Sequence, residues 1–114
     1  MKLTKYLSYC TLILLIFLTN IAHAGFTGPV TLNQLYTHST YDVSGVVFVY
    51  HDGGPITGCS QTDALALKLD NPAASEIYSA LLAAAAMNKQ VNLSYSGCTN
   101  NGNYPKLNHI ILNL

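Results

Sequence analysis

The sequence predicts a small, mostly β domain with one α-helix, its elements running β-β-β-α-β-β. Three observations carry that expectation. Alternating apolar stretches rich in β-formers stand at VSGVVFVYH and VNLSYS, and an Ala- and Leu-rich run with three- and four-residue spacing lies between them. Only about 90 residues follow the N-terminal segment, enough for one domain and not two.

The first strand is expected over residues 30–38 (VTLNQLYTH), where β-branched and aromatic residues surround an Asn-Gln step suited to a bulge. The second, residues 43–51, is apolar on both faces. Val43, Val47 and Val49 alternate with Val46, Phe48 and Tyr50, so this strand is expected to be central and covered on both sides. HDGGPITGCSQTD then breaks it. Residues 64–69 (ALALKL) read as a third strand because a separate helix start follows: Asn71 as N-cap and Pro72 in the first helical position. The helix is expected over residues 72–88, burying a face of Ile77, Tyr78, Leu81, Leu82 and Ala85. Glu76 near its start and Lys89 past its end complement the helix dipole. Val91, Leu93 and Tyr95 alternate with polar residues as a fourth strand. A Gly- and Asn-rich loop leads to the last strand, KLNHIILNL, with Ile110, Leu112 and Leu114 facing inward.

At the N-terminus, Lys2 and Lys5 precede an apolar run over residues 12–18, and Ala22-His23-Ala24 follows. This is the pattern of a secretory signal peptide cleaved after Ala24. The run falls short of the roughly 20 residues that span a bilayer. Cys10 lies before it, not at its end where a lipidated cysteine would stand. The expected organisation is therefore a signal peptide over residues 1–24 and a single secreted or periplasmic domain over residues 25–114, with no membrane span.

That domain carries three lysines, no arginine and five carboxylates, a net charge of 3 − 5 = −2. Nucleic-acid binding needs a basic footprint to displace phosphate counterions, and none is present. Attraction to anionic lipid is unsupported for the same reason. Two cysteines remain, Cys59 and Cys98, and an exported chain with an even count is expected to oxidise them in the one pairing available. In the chain-entropy view a bond closing a loop of this length stabilises by about 4 kcal/mol.

Five strands with a helix between the third and fourth is the order of an OB-like five-stranded barrel; an open α+β sheet with one packed helix is the alternative. The signal peptide, a cysteine after the second strand, and NPAASEIYSALLAAAAMNKQVNLSYSGC ending on the second cysteine together resemble small exported bacterial OB-fold proteins. The likeness is to toxin binding subunits of the subtilase-cytotoxin and pertussis-like type, and to related uncharacterised secreted proteins. The resemblance implies an OB fold, assembly into rings and glycan binding. It transfers no individual sugar-contacting residue to this chain.

Read from the residues, the two cysteine-bearing loops hold the strongest candidate site. A Cys59–Cys98 bond would bring together Ser60, Gln61, Asn100, Asn101, Asn103 and Tyr104, with Thr62 and Thr99 beside them. Amides and hydroxyls both donate and accept, and an aromatic ring can lie against a sugar face, which suits a carbohydrate or other neutral polar ligand. The same residue types also dominate ordinary turns. His51 and Asp52 could act as acid and base, but adjacent strand residues point to opposite faces, and no nucleophile accompanies them. His38, His51 and His109 lack metal-ligand spacing, and no cofactor motif is present. Asn92-Leu93-Ser94 matches a glycosylation acceptor only by its letters, inside an expected strand. The sequence thus favours a non-enzymatic exported binding domain with a glycan or protein partner, open to homo-oligomerisation. A secreted inhibitor or accessory subunit is the alternative, and a small hydrolase using His51 or Asp52 ranks below both.

Overall fold

The computed structural model describes residues 24–41, 44–100 and 103–114. The signal-peptide segment up to His23, Val43 of the second expected strand, and Asn101 of the candidate site lie outside them. Among the described residues the protein is mostly β with one helix, and the strands form an open six-stranded mixed sheet. In chain order these are β1 (Ala24–Val30), β2 (Leu32–His38), β3 (Val46–His51), β4 (Leu65–Lys68), α1 (Ala74–Met87), β5 (Val91–Cys98) and β6 (Pro105–Leu112). Their order across the sheet is β1-β5-β6-β4-β3-β2, antiparallel except for the parallel pair β4–β6. This architecture matches the open-sheet alternative.

A sixth strand is the first correction. Val30 ends β1 and does not begin the next strand; Thr31 alone separates β1 from β2, yet these are the two edges of the sheet. Gly25, Gly28 and Pro29 hide β1 in the sequence. The strand tolerates them because it is an edge and because its register with β5 shifts between Phe26 and Pro29. Gly28 supplies the left-handed conformation there, at φ 72°.

As expected, β3 is central and covered on both faces: Val46, Val47, Phe48 and Val49 are all buried. Paired residues share a face, so the ladders sort the side chains into two layers. On the inner face, Val47 and Val49 stand opposite Leu67 and Leu65, joined in one core by Val30, Val91, Leu93 and Leu107. On the outer face, Val46, Phe48, Ala64 and Ala66 form a second cluster under Tyr41, Tyr50 and Tyr104. β4 stops at Lys68, so Leu69 is 41% exposed. β6 stops at Leu112. Ile110 and Leu112 pack on the core as expected, but Leu114 is almost fully exposed because no strand remains beside it.

α1 begins two residues later than expected. Asn71 does not cap it; its Oδ1 accepts the Ala73 N–H at 2.9 Å within a turn, and Ala73 occupies the N-cap position without a side-chain bond. The C-terminus ends on Asn88 in the left-handed conformation, with the Asn88 and Lys89 N–H groups returning to the Ala85 and Ala84 carbonyls. The buried stripe is Ala74, Ile77, Leu81 and Ala84, with Tyr78 partly buried against the core. Leu82, 46% exposed, and Ala85 lie outside it. A run apolar on every side has no polar face to reveal its rotation, so a stripe one residue away fitted the pattern as well.

This orientation is testable. Leu81→Ala should cost about 2–5 kcal/mol, whereas the chemically identical Leu82→Ala should cost less than about 1 kcal/mol. Urea unfolding of both variants checks the order, and equal losses would contradict the observed rotation.

Candidate functional site

The site is built on the disulfide. Cys59 and Cys98 are bonded, with Cα atoms 5.9 Å apart at a sequence separation of 39. Backbone bonds extend the junction on both sides. The Gln61 N–H donates to the Asn103 carbonyl at 2.6 Å, the Ile56 N–H to the Thr62 carbonyl at 3.0 Å, and the Thr99 N–H to the Tyr104 carbonyl at 2.8 Å. The Tyr104 N–H donates in turn to Thr99 Oγ1 at 3.2 Å. Buried Ile56 anchors the first loop in the inner core, and Thr99, 3% exposed, anchors the second.

The two loops therefore meet, as expected, and Gln61, Asn103 and Tyr104 come together. Ser60 and Asn100 are exposed on the same loops. Tyr104 is not a free platform. Its ring packs on Phe48 with centroids 4.6 Å apart and on Tyr41 at 6.1 Å, and Tyr41 meets Phe48 edge-on at 5.2 Å. Asn103 Nδ2 donates to Tyr41 Oη at 3.1 Å. Tyr36 stacks on the far side of Phe48 at 6.1 Å, and His38 lies edge-on to both Tyr36 and Tyr41 at 6.0 Å. The His38 ring is held by its Nδ1, which accepts the Tyr41 N–H at 3.1 Å.

The outcome is a continuous aromatic face over β2, β3 and β4, edged with phenol hydroxyls and one carboxamide. Burial raises the Tyr104 pKa above its ordinary value, and Tyr50, Asp63 and Tyr41 nearby raise it further. A neutral phenol both donates and accepts, which is what a hydroxylated ligand requires. Tyr36, His38, Tyr41, Phe48, Tyr50 and Asp63 were not anticipated here. The alternation in VVFVYH does place Phe48 and Tyr50 on one face. The cross-strand register that sets Tyr36 against Phe48 and His38 against Val46 is a tertiary fact.

His51 and Asp52 are engaged separately. Asp52 Oδ1 accepts the Thr31 N–H at 2.8 Å, and the Asp52 N–H donates to the Thr31 carbonyl at 3.1 Å. The carboxylate thus clamps the one residue between β1 and β2. His51 Nδ1 accepts the Gly53 N–H at 3.0 Å, which places the ring proton on Nε2, an atom buried without a partner. Burial lowers the His51 pKa, and the opposing pull of Asp52 is smaller. Among the described residues no three His, Cys, Asp or Glu side chains cluster as a metal site, and no helix is long and apolar enough to cross a membrane.

A folded-state pKa below the unfolded value means the unfolded chain takes up the proton more readily. Acidification below the ordinary histidine value of 6.5 should therefore erode stability until the folded-state pKa is reached. Thermal unfolding between pH 7 and 5 should show this decline, and His51→Gln should flatten it; an unchanged slope in that variant would assign the decline to other groups.

No family model, curated protein or solved structure matches the chain.

Proposed function

We propose that the chain is an exported, non-enzymatic binding domain for a carbohydrate or another neutral polar ligand, received on the aromatic face beside the disulfide-linked loops. One observation carries the reading: Tyr41, Tyr50, Tyr104 and Asn103 present hydroxyls and a carboxamide around stacked rings, at a place where a covalent bond ties the two loops together. Loops already held in place lose little freedom when a ligand arrives. A ring face with polar groups at its border offers the apolar and hydrogen-bonding contacts that a sugar presents together.

The topology we assign is OB-like, in the manner of the toxin binding subunits. It is supported by the parallel β4–β6 pair, by the helix placed between β4 and β5, and by the single residue that joins the two sheet edges. Export to the periplasm or beyond is supported by the disulfide and by the basic and apolar segments and the Ala-x-Ala that ends on Ala24, the first residue of β1.

The test is a glycan array probed with the processed, oxidised protein. Tyr104→Ala and Asn103→Ala should each weaken any binding tenfold or more, a loss of about 1.4 kcal/mol. An array without hits, or binding untouched by both substitutions, would overturn the assignment.

A second reading rests on a different surface. From Ala80 to Met87 the helix carries no polar side chain, and Leu82, Ala83, Ala85, Ala86 and Met87 are exposed. Such a flank suits a protein partner, either a further copy of the chain or the target of an inhibitor or accessory subunit. Ala84 is fully buried and takes no part. If the flank joins copies of the chain, the native mass should be a multiple of the monomer, and Ala86→Glu should reduce it. A monomer at every concentration would leave only the heterologous partner.

A further inference from the structure

We propose that the depression between β4, β6 and the turn before α1 binds a small hydroxylated anion, a carboxylate or a phosphate monoester, through Lys106. The depression holds about 320 Å³ and is lined by Lys68, Asp70, Asn71, Lys106 and Asn108, with Pro72 and Leu107 completing the wall. Two of the three lysines in residues 25–114 meet there, in a segment with no arginine and a net charge of −2. The positive charge of an acidic domain is thus gathered in one place.

The two lysines differ. Lys68 Nζ lies 3.6 Å from Asp70 Oδ2, so its charge is shared. Lys106 makes no ion pair among the described residues. Its end lies over Gly97, where a Cβ would come within 3.3 Å of Lys106 Cε and 3.7 Å of Nζ. Gly97 has φ 67° as well, so both its conformation and its lack of a side chain leave that path open. The missing side chain at Gly97 thus gives room to the end of Lys106, a residue that lines the depression.

The two asparagines are already half used. Asn71 Oδ1 is taken by the Ala73 N–H, which leaves its amide hydrogens as donors. Asn108 Nδ2 donates to Ser96 Oγ, which leaves its carbonyl oxygen as an acceptor. One cation with no protein carboxylate of its own, free amide donors and a free acceptor form a set matching an anionic group that also bears a hydroxyl.

Across the parallel pair Lys106 stands against Ala66, which lies beneath the tyrosine cluster, so the depression borders the aromatic face without sharing its residues. This inference is independent of the glycan reading, and the experiment separates them. The processed, oxidised protein, labelled with ¹⁵N, is titrated with glucuronate, with glucose 6-phosphate and with neutral glucose at millimolar concentration. Glucuronate or glucose 6-phosphate should shift the amides of Asn71, Lys106 and Asn108 saturably, and glucose should not; the stronger of the two identifies carboxylate or phosphate as the preferred group. Lys106→Gln should weaken that binding at least fivefold, Lys106→Arg should restore most of it, and Lys89→Gln and Tyr104→Ala should leave it unchanged. Absent or non-saturating shifts, or equal affinity in Lys106→Gln, would overturn the proposal.

Discussion

A sheet whose central strands are apolar on both faces has to be covered twice, and among the described residues one helix is there to do it. That constraint organises the molecule. α1 contributes Ile77, Leu81 and Ala84 to the inner core. The outer face of β3 and β4 is covered by tyrosines, two of which come from outside the strands: Tyr41 after β2 and Tyr104 before β6. A layer made of a few rings works only if the backbone bearing them is held, and the disulfide with its flanking hydrogen bonds holds it. The small Ala64 and Ala66 beneath leave room for those rings. The rings that cover the core are thus the same ones on which the proposed binding face is built.

Much of this was legible from local chemistry. β3, β4, β5 and the existence of the helix follow from alternation and helical spacing, though not its start, and the disulfide follows from two cysteines in a chain expected to be exported. What escaped the sequence belongs to a few identifiable causes. Gly28 and Pro29 are strand breakers everywhere except at a bulged edge, and nothing local says that residues 24–30 form one. The helix could not be oriented because alanine and leucine surround it. The candidate site was half visible: polar residues near the cysteines could be named, but the aromatic face depends on the pairing of β2 with β3 and on Tyr104 crossing from its loop.

His51 and Asp52 show how a suggestive pair can divide into separate tasks. Asp52 turns away to satisfy both backbone groups of Thr31, the residue at which the chain leaves one sheet edge for the other. His51 spends its Nδ1 on the loop it precedes. Neighbours in sequence on opposite faces of a strand answer to different surroundings, and here each is used to hold a change of direction.

The irregular β1 also bears on how the protein behaves in a crowded compartment. A sheet edge is a template on which another chain can add a strand, the first step toward aggregation. β1 offers a poor template: the bulge around Gly28 breaks its regular spacing, and Pro29 has no N–H for an incoming strand. The residues that concealed this strand are therefore well suited to keep it from recruiting others.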